Sequence, residues 1–194
     1  LGPFSQTGFS RCRRRLGIAS GTRYFRVNLI DIPRFQLYYA DPLKPVLKKA
    51  GLRSNIVNPN VFRECDVRGI VDQDLNEIFI VNLGRAIGAY ALKRNIKTMT
   101  VGRDCRLSSE AYSGYLISGL NASGLDTIDI GLCPTPMLYF SIRHCGAGGG
   151  VMVTGSHNPP EFNGFKICIG HDAIYGTEIQ CLKKIMESGS YISG

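Results

Sequence analysis

No stretch of the 194-residue chain approaches the ~20 consecutive apolar residues that a helix needs to cross a bilayer, so no transmembrane helix is expected. Paired metal-ligating cysteines are missing as well. Cys12, Cys65, Cys105, Cys133, Cys145, Cys168 and Cys181 stand apart, with no C-x-x-C and no Cys/His cluster, which sets aside a zinc module. An odd number of scattered, apolar-flanked thiols reads as small core side chains in a reducing compartment, and a cytoplasmic location is expected. Familiar catalytic loops are absent too. There is no G-x-x-x-x-G-K-[ST], Val151 replaces the last glycine that G-x-G-x-x-G requires after Gly146, and Asn158 breaks the G-x-S-x-G of a hydrolase elbow at Ser156.

Acidic residues are scarce in one part only. Residues 1–60 hold eleven Lys and Arg against Asp31 and Asp41, a net of +9, while residues 61–194 hold twelve basic and thirteen acidic side chains, a net of −1. The overall +8 therefore belongs to an N-terminal arm, and a nucleic-acid or membrane partner is not expected. The arm is basic and irregular, punctuated by Pro33, Pro42, Pro45 and Pro59, with arginines at 11, 13, 14 and 15. Such a stretch suits an organelle transit peptide or, the preferred reading, a solvated tail.

From Val61 the pattern changes to alternating strand and helix signals, which implies an α/β layered domain. Asp74 with Glu77 forms a candidate capping box before the helical series Leu75, Ile78, Phe79, Leu83, Ala86, Ile87 and Tyr90. A strand over Thr98–Val101 runs into Gly102-Arg103-Asp104, and Ser108 or Ser109 starts a helix towards Asn121. Leu125–Ile130 reads as a strand, 133–136 as a loop, and a helix from about Met137 leads to a flexible glycine turn at 146–150. A strand over Val151–Val153 delivers Thr154-Gly155-Ser156-His157-Asn158-Pro159-Pro160. Asn163-Gly164 is a tight-turn signal before a strand Phe165–Ile169, and Thr177–Ser188 reads as an amphipathic helix.

Ser156 stands where ligands bind in such domains, in a loop at the carboxyl end of a strand. Gly155 relaxes the backbone and the two prolines stop a helix, so the hydroxyl is expected on an exposed turn. Phosphoryl transfer suits it, because that chemistry asks the protein mainly to neutralise oxygen charge. The candidate cations are Lys166, returned beside the loop by the Asn163-Gly164 turn, and Arg63, Arg68, Arg103 and Arg106. Arg103 and Asp104 read rather as braces of the loop, and His144 and His171 as surface residues.

Thr154 to Ile167, T-G-S-H-N-P-P-E-F-N-G-F-K-I, resembles the active-serine signature of the alpha-D-phosphohexomutases, nearest their bacterial phosphomannomutase/phosphoglucomutase branch. Phe62 to Gly69 (F-R-E-C-D-V-R-G), Gly102 to Ser109 (G-R-D-C-R-L-S-S) and Gly131 to Phe140 with its P-T-P are similar to three further family segments, in the family's order. The likeness covers about Val61 to Ser188. It implies a three-layer α/β/α domain with a mixed, mostly parallel sheet over residues 61–194, the family's N-terminal domain, preceded by the extension 1–60. It further implies that hexose 1- and 6-phosphates interconvert through a phosphoserine at Ser156 and a bound 1,6-bisphosphate, which also serves as activator. His157 and Lys166 would assist proton movement and orient the phosphoryl group, Arg68 would bind its oxygens, and phosphorylated Ser156 would ligate Mg²⁺. Arg63, Cys65 and Asn158 would serve on the substrate and phosphate side, Asn158 by holding the loop's shape. Cys65 departs from the tyrosine usual in this branch.

The family completes its site with three more domains, absent from this sequence, and the 194 residues alone are expected to show no mutase turnover. A phosphoglucosamine mutase domain is the alternative within the family, although Gly155 and Pro160 lean away from it. A non-catalytic phosphate-binding module is the alternative outside enzymes.

Overall fold

The computed structural model describes residues 58–194 and the strand Tyr24–Arg26. The arginine cluster at 11–15 and the prolines at 33, 42 and 45 lie outside the described residues. The elements are β1 (Tyr24–Arg26), β2 (Val67–Ile70), α1 (Glu77–Leu92), β3 (Thr98–Arg103), α2 (Ser109–Ala122), β4 (Asp126–Leu132), α3 (Thr135–His144), β5 (Gly149–Val153), β6 (Phe162–Ile169), β7 (Asp172–Ala173) and α4 (Thr177–Ser188).

The strands form one sheet in the order β1-β4-β3-β5-β6-β2, with β7 on β6. β1, β4, β3 and β5 run parallel, whereas β6 is antiparallel to β5, β2 and β7. The sheet is thus mixed, parallel in one half and antiparallel in the other. Successive side chains of β5 point to opposite faces. Val151 and Val153 join Phe165, Ile167 and the buried faces of α1, α2 and α4 in the main core. Met152 goes the other way and meets Leu138 and Ile142 of α3 in a smaller one. Helices therefore cover both faces, giving the α/β/α layering that the family resemblance implies and agreeing with the α/β class read from the alternating pattern.

Several boundaries differ from the sequence expectation for definite reasons. The side chain that caps α1 is Asn76, whose Oδ1 accepts from the Phe79 amide at 2.9 Å. Asp74 instead accepts from the Ile70 amide and from Asn58 Nδ2, both at 2.9 Å, and ties down the strand before the helix. α3 starts at Thr135 rather than Met137, because a proline in the first helical turn forfeits no hydrogen bond. Gly149 and Gly150 are buried strand residues rather than a flexible turn. A Cβ on Gly149 would lie 2.5 Å from the Cys168 carbonyl of β6.

The largest difference is Asn163-Gly164. These residues form no turn; they sit inside β6, opposite Gly69 and Arg68 of β2. Gly164 is required by strand approach, since a Cβ there would lie 2.6 Å from the Val67 carbonyl. Asn163 is fully buried and spends its amide on Ser108 Oγ at 2.8 Å and Ser109 Oγ at 3.0 Å. The reversal between β5 and β6 is made earlier, by residues 154–161, so the serine loop is itself the hairpin connection.

Candidate active site

β5 and β6 pair from Gly149 opposite Ile169 to Val153 opposite Phe165, and the Thr154 amide adds one bond to the Gly164 carbonyl at 2.9 Å. Beyond it the chain leaves the sheet. Ser156 takes a left-handed backbone, φ 54°, a conformation costing a non-glycine residue about 1–3 kcal/mol unless its surroundings enforce it. Here the surroundings do so. The Ser156 amide donates to Thr154 Oγ1 at 2.9 Å, the Gly155 amide to Asp104 Oδ2 at 3.3 Å, and the Asn158 amide to the Gly155 carbonyl at 3.1 Å. The Ser156 side chain is exposed, with its Oγ 3.3 Å from His157 Nδ1.

Arg106, from the segment between β3 and α2, reaches across to the same loop. Its guanidinium donates to the carbonyls of Pro159 at 2.7 Å, Phe162 at 2.9 Å, Ser156 at 3.1 Å and Asn158 at 2.5 Å, and its Nε pairs with Asp104 Oδ2 at 3.3 Å. Asp104 also accepts from Ser109 Oγ at 2.5 Å and the Arg106 amide at 3.0 Å. Burial by itself would raise the Asp104 carboxyl, but hydrogen bonds from Ser109, the Arg106 amide, Thr154 and the Gly155 amide outweigh it and hold the group below its usual value. Asp104 is therefore a brace of the loop, as expected. Arg103 is not, since it turns to Glu110 of α2 at 3.3 Å.

An open depression of about 490 Å³ lies over the loop, bordered by Asp104, Cys105, Arg106, Thr135, Ser156 and His157 among others. Of the expected site residues, some border it and others stand apart. Ser156, His157 and Asn158 border it directly, and Asn158 contributes to the loop's shape through its backbone. Arg68 and Lys166 are not on its border; β2 and β6 bring them together at Asp66, which pairs with Arg68 and lies 3.8 Å from Lys166 Nζ. Lys166 reaches this position as the β6 partner of Met152, not through a turn at 163–164. Arg63 and Cys65 are exposed on the segment preceding β2.

Sequence reasoning ranked Arg106 with the phosphoryl-neutralising cations and did not anticipate its hold on the loop. It missed Cys105 and Thr135 as border residues. Nothing local announces a contact across some fifty positions; the one trace is Gly155, where a Cβ would collide with the Arg106 guanidinium and lie 2.8 Å from the Phe162 carbonyl.

Among the described residues no three His, Cys, Asp or Glu side chains converge, and Asp104 has committed its oxygens to the loop. These residues alone do not fit the oxygen cage that Mg²⁺ prefers.

With the geometry in hand, residues 59–191 match the family described as phosphoglucomutase/phosphomannomutase, alpha/beta/alpha domain I. A phosphoglucomutase of Neisseria gonorrhoeae is 41% identical over 138 residues, 71% of this chain and 30% of that protein. A phosphomannomutase/phosphoglucomutase of Pseudomonas aeruginosa is 40% identical over 135 residues, 70% of this chain and 29% of that protein. The crystal structure of a phosphoglucomutase/phosphomannomutase family protein from Burkholderia thailandensis superposes with a TM-score of 0.66 at 36% identity, covering 69% of this chain and 31% of that one. The chain spans about three tenths of the length of the curated relatives it matches.

Proposed function

The chain belongs to the phosphoglucomutase/phosphomannomutase family, and from that premise we propose that residues 61–194 are the phosphoserine-bearing domain of an enzyme interconverting hexose 1-phosphate and hexose 6-phosphate. The observation that carries this reading is the Ser156 hydroxyl itself, exposed at the strand end, bordering an open depression and 3.3 Å from His157 Nδ1.

In the first half-reaction a sugar hydroxyl attacks the phosphoryl group on Ser156. The new sugar O–P bond forms, the P–Oγ bond breaks, and the hydroxyl proton is handed on with the help of His157. The resulting 1,6-bisphosphate turns over in place, and Ser156 Oγ attacks its other phosphoryl group. An Oγ–P bond forms, the second sugar O–P bond breaks, and the proton returns to the sugar oxygen. Arg68 and Lys166, held together through Asp66, supply positive charge to the phosphoryl oxygens, which is where this chemistry needs it. Arg63 and Cys65 serve the substrate side, and the backbone of Asn158 keeps the loop in shape. Magnesium dependence is part of the proposal, with phosphorylated Ser156 as this chain's one contribution to the ion; other parts of the intact enzyme complete both the ion's site and the sugar's. No helix among the described residues is long and apolar enough to cross a membrane, and the cytoplasm is the proposed location.

The test is covalent. Incubation with glucose 1,6-bisphosphate should add one phosphate, ~80 Da, to the parent and nothing to Ser156→Ala. The measurement is intact mass, on the 194-residue chain and on the same chain fused to the remaining domains of the Neisseria gonorrhoeae relative. Absence of labelling in both forms sinks the enzyme reading in favour of a phosphate-binding module.

A further inference from the structure

A guanidinium carries five N–H donors and no acceptor. In Arg106 the four terminal N–H groups are all taken by loop carbonyls, and Nε stands in an ion-pair contact. Two terminal nitrogens serve two carbonyls each, Pro159 with Phe162 and Ser156 with Asn158, and Nε faces Asp104 Oδ2. No terminal donor is left for a phosphate oxygen, although the side chain borders the same depression as Ser156. All four accepting carbonyls belong to the stretch 156–162, and one belongs to the left-handed serine itself.

Two further observations agree. Gly155 leaves room for the guanidinium to lie against the loop backbone. Asp104 fixes Arg106 from behind while holding the Gly155 amide, so one ion pair grips the loop by an amide and by four carbonyls.

We propose that Arg106 is the positioning residue of the phosphoryl-accepting serine: it binds no phosphate, but holds the 154–162 loop so that Ser156 presents its hydroxyl from a left-handed backbone. The proposal rests on the phosphoserine reading for its consequence, though not for its geometry. Because the grip needs a planar fork with four terminal donors on two nitrogens, lysine, with three donors on one nitrogen, cannot replace it.

The experiment compares Arg106→Ala and Arg106→Lys with the parent by two measurements. The first is amide hydrogen exchange of peptides covering residues 154–162, which requires no phosphoryl donor. Exchange there should quicken about tenfold or more in both variants, with α1 and α2 unchanged. Guanidinium chloride at tens of millimolar should restore protection in Arg106→Ala, and sodium chloride at the same concentration should not. The second is the rate of phosphoryl uptake from glucose 1,6-bisphosphate in the fused, full-length form. The maximal rate should fall about a hundredfold, as for a misplaced nucleophile, while the half-saturating donor concentration stays put.

Parent-like loop exchange in both variants overturns the proposal. So does a rise in half-saturating concentration at an unchanged maximal rate, which would make Arg106 a phosphate ligand. If the parent itself takes up no phosphoryl group, the phosphoserine reading fails while the exchange data still decide the grip. Should Arg106→Ala not fold, Arg106→Lys carries both measurements.

Discussion

Arg106 and Arg68 are both largely enclosed arginines, with side chains 15% and 11% exposed, yet they are used in opposite ways. Arg106 is committed, with its four terminal N–H groups on loop carbonyls and its Nε against Asp104. Among the described residues Arg68 has a single acidic partner, Asp66, and its Nε is buried without a hydrogen-bond partner. A buried donor left unpaired costs about 1–3 kcal/mol, a cost that a bound anion can remove. Lys166 shares Asp66 at 3.8 Å, so two cations there answer to one carboxylate. The difference teaches that two arginines of one domain sort by the donors they still have to give: the committed one shapes the loop, and the other, with Lys166, keeps donors that the proposed function assigns to the substrate.

The largest effect should come from crowding the committed side. In Gly155→Ala the new Cβ meets the Arg106 guanidinium and the Phe162 carbonyl, so either the fork or the loop must move. Phosphoryl uptake is expected to drop about a hundredfold, as for any misplaced nucleophile, with loop exchange quickened. Combined with Arg106→Ala, the two losses should add only in part, because the alanine at 106 removes the closer of the two clashes while the Phe162 carbonyl, 2.8 Å from that Cβ, remains. Additive losses in a double-mutant cycle would show that the two residues do not share one contact.

A smaller and qualitatively different effect is expected at the other arginine. Arg68→Ala should weaken uptake roughly ten- to a hundredfold, the scale of one charge-assisted hydrogen bond, chiefly by raising the half-saturating donor concentration. Loop exchange over 154–162 should be untouched. If Arg68→Ala loosened the loop as Arg106→Ala is expected to, the contrast between the two arginines would be lost.

Much of this was legible in the sequence, for a reason visible in particular residues. The helix Thr177–Ser188 matches the reading from periodicity residue for residue, because its apolar face at Ile179, Leu182 and Met186 and its closing Gly189 are local signals. The α/β class followed from alternating elements of two periods, and the three-layer arrangement from the family resemblance. Asn163-Gly164 misled because the dipeptide that best fills a tight turn is also the one that lets two strands close up and a buried amide pin a neighbouring helix start. Asp74 misled because a carboxylate can cap a strand's amide as readily as a helix's. At the site, Ser156 and His157 were readable as neighbours in one loop. The Arg106 grip was not, since its partners lie fifty and more positions away and backbone carbonyls have no residue code.

The smallest effect separates the two halves of the grip by pH. The four carbonyl bonds of Arg106 contain no group that titrates in the acid range, whereas the Asp104 carboxylate does. Its folded value is depressed because, against its burial, hydrogen bonds from Ser109, the Arg106 and Gly155 amides and Thr154 favour the charged form. A depressed acid contributes stability in full above its unfolded value, near 3.9, and loses it as pH falls through the lower folded value. Protection of the Gly155 amide, corrected for intrinsic exchange, should therefore be level from neutrality to about pH 4 and fall only below it. In Asp104→Asn that acid limb should vanish, and the neutral-pH protection should already be lower. Loss of protection well above the ordinary carboxylate range, or an identical acid limb in Asp104→Asn, would show that the loop's amide end is held by something other than this carboxylate.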